Sequence, residues 1–380
     1  MFGAGLICGA YMTKVAPALP LQRAELGLTL VQSGFIATLF NAMGGVLGVF
    51  VGMFATRMGL RRAALTGLAL MAAAGLLGAA SPSFALLLAS RFIEGIGFML
   101  FTVTGSALIA SAALTPRDRD RALGLWSAYM PTGGGLALLA APAAIAAWGW
   151  RGLWSLLALV AGLCFLLTWR RAPRLAAAPV PSGRLLRESL ARPGNLAFAL
   201  LFVFYVSQWV SVMVWLPTFV VDERGVSATT ASMLTAFMVL ANIPGNLAAG
   251  ALLARGAPRG PMIILASLGM ALCSAGMLGP WLPDGLRYAL CLLFSAVAGL
   301  IPGAIFSGLP VHAKTPQHIS TANGMVMQGA QVGQFIGPIV VAWLSSAAGG
   351  WGATLWAMVG FAAGAALCGA AVLHFEKGLA

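Results

Sequence analysis

Apolar runs of about 20 residues recur along the whole chain, each long enough to cross ~30 Å of hydrocarbon. No other feature constrains the fold as strongly, because backbone N–H and C=O groups in lipid must find partners within their own segment, which makes each run a helix. Twelve spans are expected, with eleven the alternative count, at about 2–20, 29–55, 62–80, 84–114, 122–148, 151–169, 195–220, 227–254, 260–281, 286–311, 320–346 and 351–374. Charged residues make up 8% of the 380 positions, against roughly 25% in soluble domains, so no water-soluble surface can be built. The fold class is an all-α polytopic membrane protein, and the lipid bilayer is its first partner.

The formal charge of +13 would suit a nucleic-acid binder if the basic residues formed one patch. They lie between spans instead. With the N-terminus in the cytoplasm, sixteen fall inside: Arg57, Arg61, Arg62, Arg117, Arg119, Arg121, Arg170, Arg171, Arg174, Arg184, Arg187, Arg192, Arg255, Arg259, Lys314 and Lys377. Arg23, Arg151, Arg224 and Arg287 fall outside. That asymmetry is the positive-inside rule, with both termini cytoplasmic in a bacterial inner membrane. Nucleic acid is not an expected partner. The N-terminal run lacks a basic leader and is broken by Lys14, Pro17 and Pro20, so it reads as a retained first helix; whether the chain is complete there is left open.

The longest polar stretch, 170–194, carries arginines and prolines and divides six spans from six. It reads as a cytoplasmic linker between an N-terminal bundle, 1–169, and a C-terminal bundle, 195–380. The segment Gly52-Met-Phe-Ala-Thr-Arg57-Met-Gly59-Leu-Arg61-Arg62 follows span two, and Gly250-Ala-Leu-Leu-Ala-Arg255-Gly256-Ala-Pro-Arg259 follows span eight. Recurrence at half the chain length is expected of a transporter built from two pseudo-symmetric six-helix bundles, with substrate held near the midplane.

Residues 52–62 resemble the signature loop of the major facilitator superfamily: Gly, three residues, Asp, basic, any, Gly, then basic residues. Thr56 stands where that pattern has Asp and Leu60 where it has a basic residue; Asp118 or Asp120 would have to substitute. The resemblance implies a cytoplasmic gate at Gly52, Arg57, Gly59, Arg61 and Arg62. Arg91-Phe-Ile-Glu94-Gly95-Ile-Gly97 is similar to the family's Arg-x-x-x-Gly-x-Gly element, associated with proton coupling. Gly324, Gly333 and Gly337-Pro338 resemble part of an antiporter glycine motif, but Gly329, Gly333 and Gly337 at spacing four also make a smooth face for close helix packing, and antiport is not inferred. Val15-Ala-Pro17-Ala-Leu-Pro20 and Gly124-Leu-Trp126-Ser-Ala resemble the cyanate/nitroimidazole permease branch.

Three ionisable residues lie well inside predicted spans: Lys14 in the first, Arg91 and Glu94 in the fourth. Such groups cost roughly 2.5–3.5 kcal/mol each on insertion scales and normally find partners or a watery cavity. Arg91 and Glu94 share a helix face, Lys14 sits at similar depth, and the family resemblance implies that spans one and four both line the central cavity. A cluster of formal charge +1 is expected, either binding a small anion or bracing the N-terminal bundle, unless a shifted span boundary leaves Lys14 snorkelling outward. Glu94 is the expected proton carrier.

Tyr11, Asn41 and Tyr129 in the first half, with Gln208, Trp209 and Gln331 in the second, complete the candidate substrate-binding set. Prolines 131, 217, 244, 302 and 310 are expected to kink their spans. His312, His318 and His374 lie at cytoplasmic ends, and no paired carboxylates or nucleophile motif occupy the spans, which argues against an enzyme. The five cysteines lie in apolar runs without metal-ligand spacing, so no cofactor or metal is expected. The expected activity is proton-coupled secondary transport of a small organic or inorganic anion by a monomer, in the manner of a symporter. The alternative is proton-coupled export of hydrophobic drug-like compounds, which the 17 Met and 11 Trp residues would suit.

Overall fold

The computed structural model describes residues 2–41, 58–112, 129–172, 188, 191–279, 281–309, 311–312 and 316–377. Among the described residues there are helices and no strands, and ten segments are long and apolar enough to cross a bilayer. The first unit contains α1 (Phe2–Thr13), α2 (Val15–Leu26), α3 (Leu30–Asn41), α4 (Leu60–Ala79), α5 (Phe84–Ala112) and α6 (Tyr129–Arg171). Then follow α7 (Pro193–Arg224), α8 (Ala228–Leu240), α9 (Asn242–Ala254), α10 (Arg259–Leu278), α11 (Asp284–Ala298), α12 (Leu300–Gly308), α13 (Pro316–Ala347) and α14 (Thr354–Lys377).

Each expected span has a described counterpart. Spans five and six are joined in α6, which turns at Gly149, where φ is +66° and ψ −178°; a side chain is disfavoured at that φ, and Gly accepts it. Span two is represented by α3, its remainder lying outside the described residues.

Among the described residues three spans are interrupted at single residues, Lys14, Ala241 and Gly299, each still in the right-handed helical region. Each break falls three residues before a proline: Pro17, Pro244 and Pro302. Proline has no N–H for the carbonyl four residues back, and its ring crowds that carbonyl, so the helical ladder opens there. Pro217 lies inside α7 without a break in the assignment, and Pro310 lies outside the described residues.

The chain forms two compact units, residues 1–180 with 214–236, and residues 181–213 with 237–380. Helix α7 therefore begins in the second unit and ends in the first. The segment 214–236, which the sequence partition groups with 195–380, clusters with the first unit. Within the first unit α4 packs on α5 and α6, and α1 and α2 pack on α6. Within the second, α10 packs on α14, α11 and α12, and α9 on α11 and α12.

The glycine stripe of α13 meets α7 at backbone distance. A β-carbon on Gly329, Gly333 or Gly337 would lie 2.4 Å from the carbonyl oxygen of Ala199, Val203 or Ser207 respectively. Only glycine permits that approach, the close packing by which small residues associate helices in lipid. On the outer surface large apolar side chains are exposed, among them Leu159, Leu163 and Leu167 on α6 and Leu265, Leu268 and Leu272 on α10. Such stripes are the lipid-facing surface of a membrane bundle.

Candidate functional site

The three intramembrane ionisable residues meet. Lys14 follows α1 at the break caused by Pro17, yet its N–H still donates to Ala10 O at 2.9 Å, so the side chain is held on a near-helical turn. From there Lys14 Nζ reaches Glu94 Oε1 at 2.7 Å. One turn earlier on α5, Arg91 pairs through Nη1 with the other oxygen, Glu94 Oε2. All three side chains are fully buried.

Around the triad the partners are backbone carbonyls and aromatic faces. Arg91 Nε donates to Ile36 O at 3.1 Å and Nη1 to Tyr11 O at 3.3 Å. Lys14 Nζ lies 3.9 Å from the Tyr11 ring centroid and 4.5 Å from that of Trp154, and the Arg91 guanidinium lies 4.5 Å from that of Phe40. Cations desolvated over aromatic faces gain up to about 2 kcal/mol each. Tyr11 is itself fixed, its hydroxyl donating to Met71 O at 2.9 Å, and Gly75 leaves room for it, since a β-carbon there would lie 2.6 Å from that oxygen.

The cluster carries two cations against one anion. Two of its buried donors, Arg91 Nη2 and Trp154 Nε1, have no hydrogen-bond partner among the described residues. Buried donors normally have partners, so these two stand out in the cluster.

Of the other predicted residues, Asn41 lies one residue past Phe40, buried, with its Oδ1 unpartnered among the described residues. Tyr129 opens α6 and is half-buried. In the second unit Gln208 Nε2 donates to Met358 O at 3.1 Å and lies 3.4 Å from Ser274 Oγ. Trp209 Nε1 donates to Ser295 Oγ at 2.9 Å. These bonds tie α7 to α10, α11 and α14. Gln331 is buried on α13.

Of the gate motif, Gly52 and Arg57 lie outside the described residues. Gly59 precedes α4 with φ +88°, a conformation that favours glycine. Arg61 donates to the carbonyl of Trp169, at the far end of α6, and Arg62 is exposed. At the equivalent place in the second half the bond is ionic: Arg259, at the start of α10, pairs with Glu376 at 3.2 Å near the end of α14.

Sequence reasoning missed Trp154, Phe40 and Ile36. Trp150 and Trp154, four apart in an Ala- and Leu-rich span, were the available signal for the first. Among the described residues no group of three or more His, Cys, Asp or Glu side chains could hold a metal ion.

The sequence model of the Major Facilitator Superfamily matches residues 1–315. The chain belongs to that superfamily. It is accordingly a multi-pass membrane transporter and not an enzyme. Among its superfamily relatives, the probable sulfoacetate transporter SauU of Cupriavidus necator is 23% identical over 383 residues, covering 90% of this chain and 86% of its own. The cyanate transport protein CynX of Escherichia coli is 27% identical over 319 residues, covering 80% and 76%. The methylenomycin A resistance protein of Streptomyces coelicolor is 29% identical over 156 residues, which is 39% of this chain and only 32% of that protein. A crystal structure of a bacterial homologue of the human lysosomal transporter Spinster superposes with TM-score 0.79 at 17% identity, over 99% of this chain and 96% of the other, a likeness of fold.

Proposed function

We propose that this transporter carries a small anion across the inner membrane by alternating access, coupled to protons, with both termini cytoplasmic and the chain acting as a monomer. The observation that carries this reading is the buried Lys14–Glu94–Arg91 triad, with one cation in excess and unpartnered donors beside it. Two relatives matched over most of the chain are named for the anions sulfoacetate and cyanate, which supports the substrate class.

In this scheme an entering anion competes with Glu94 for Lys14 or Arg91. Glu94 is the proton carrier in this scheme, exchanging its proton as the anion takes one of its cationic partners. Release of substrate on the other side restores the ion pairs and expels the proton. Tyr11, Asn41 and Tyr129 would shape the site from the first half, and Gln208, Trp209 and Gln331 from the second. Gly52, Arg57, Gly59, Arg61 and Arg62 would act as the cytoplasmic gate.

The test is uptake of radiolabelled cyanate and short carboxylates or sulfonates into proteoliposomes, with and without an inward proton gradient. Saturable, gradient-driven uptake that Lys14→Gln abolishes and Lys14→Arg partly retains supports the reading. Unchanged affinity in Lys14→Gln removes the triad from substrate binding. Uptake by a folded Glu94→Gln variant that still follows the proton gradient removes Glu94 as carrier.

A second reading rests on the match to the methylenomycin A resistance protein. Export of hydrophobic compounds would suit the aromatic side chains Tyr11, Trp154 and Phe40 packed around the triad, and it is the conclusion if no anion is taken up.

A further inference from the structure

A second concentration of positive charge lies in the first unit, away from the triad. Arg61 at the start of α4 faces Trp169, Arg170 and Ala172 at the end of α6, and these four residues line an open recess of about 330 Å³. Trp154 and Trp169 are fifteen residues apart on α6, about 22 Å at 1.5 Å per residue, so the recess is remote from the buried triad.

The recess has an anion-binding character of its own. Arg61 Nε is buried and has no hydrogen-bond partner among the described residues, while the carbonyl of Trp169 holds the guanidinium in place through Nη2. Arg170 is exposed, as are Arg62 and Arg171 beside it. None of the four lining residues is acidic.

Its position selects the kind of anion. Along α6, Leu159, Leu163, Leu166 and Leu167 are 66%, 54%, 48% and 51% exposed, and Trp169 is 53% exposed. That apolar strip is the lipid-facing surface, and it runs directly into Arg170 and Arg171. A tryptophan followed by arginines marks the level where hydrocarbon gives way to headgroups. A guanidinium presents a planar fork of donors that matches phosphate oxygens, and basic pockets between transmembrane helices at the cytoplasmic side suit anionic headgroups.

We propose that Arg61, Trp169, Arg170 and Ala172 form a binding site for the headgroup of an anionic phospholipid, with the acyl chains lying along the leucine strip of α6. The site does not depend on what the protein transports. It gives Arg61 a lipid-binding role besides any part in the gate, and it clamps the ends of α4 and α6 through one lipid phosphate.

The test uses the full-length protein purified in detergent and titrated with short-chain phosphatidylglycerol, read by native mass spectrometry and thermal unfolding. Phosphatidylcholine and inorganic phosphate are run in parallel. Phosphatidylglycerol is expected to bind and raise the unfolding midpoint, less so as salt is added, with about a fivefold loss of affinity in Arg61→Gln and in Arg170→Gln. Ala172→Trp fills the recess without changing charge and is expected to weaken binding as well, which keeps the test decisive should Arg61→Gln fail to fold. Arg255→Gln, an equal charge loss in the second unit, is expected to leave binding unchanged. An equal response to phosphatidylcholine, or wild-type binding by Arg170→Gln and Ala172→Trp, overturns the proposal. Saturation of the same response by inorganic phosphate would make the recess a free-anion site and overturn the lipid assignment.

Discussion

Lys14 Nζ stands 2.7 Å from Glu94 Oε1, and both side chains are fully buried. Because Arg91 holds the other carboxylate oxygen, removing Lys14 and removing Glu94 are not equivalent. Lys14→Gln leaves a neutral Arg91–Glu94 pair, whereas Glu94→Gln leaves two desolvated cations facing each other. Breaking a buried pair by deleting one partner costs about 3–5 kcal/mol. Glu94→Gln is therefore expected to lower the thermal unfolding midpoint in detergent well below that of Lys14→Gln. Equal losses in the two variants would show that the triad does not share its charge as the geometry indicates.

The glycines of α13 separate by position. A β-carbon at Gly333 would lie 2.4 Å from Val203 O and 3.1 Å from Ser207 N, whereas one at Gly324 would meet nothing within 4 Å. Gly333→Ala must push α13 off α7, an overpacking cost of about 1–3 kcal/mol, while Gly324→Ala is expected to be neutral or slightly stabilising. Comparing their unfolding midpoints checks the seam directly.

Much of this was legible before the structure. The spans follow from run length, and the breaks at Lys14, Ala241 and Gly299 follow from the prolines three residues on, although Pro20, Pro142, Pro217 and Pro338 lie inside helices without such a break. The pairing of Arg91 with Glu94 follows from i,i+3 spacing, and the approach of Lys14 from its similar depth together with the family resemblance, which implies that spans one and four line a common cavity. Trp154 was not legible as their neighbour, because a helix apolar on every face carries no signal of its rotation about its own axis. Gln208 and Trp209 read as polar side chains that need partners within a span, and the sequence does not say that Met358 and Ser295 on neighbouring helices supply them. The clustering of 214–236 with the first unit is a tertiary property that no local pattern encodes.

The bond from Trp209 Nε1 to Ser295 Oγ, 2.9 Å long, ties α7 to α11. Hydrogen bonds between transmembrane helices average about 0.6 kcal/mol in double-mutant cycles, with a maximum near 1.7. Trp209→Phe and Ser295→Ala are each expected to destabilise, and the double variant to lose less than the sum of the two. Strict additivity would show that the bond contributes nothing.

Outside the spans, His312 is buried in an ionic cluster at the end of the second unit. Its Nε2 lies 3.7 Å from Glu376 Oε1, Glu376 also pairs with Arg259, and Arg192 donates to the His312 carbonyl. Burial lowers the imidazole pKa below its ordinary value, and Arg259 and Arg192 add to the effect while Glu376 opposes it. A folded-state pKa below the unfolded one means that the native state binds fewer protons in that range. The contribution of His312 to stability is thus fully present above the unfolded imidazole pKa, about 6.5, and is lost as pH falls from there through the lower folded value. His312→Gln is expected to flatten the unfolding midpoint between about pH 7 and 5 relative to the parent, measured by thermal melts at fixed ionic strength. A variant whose midpoint falls as steeply as the parent's would assign the acid sensitivity to another group.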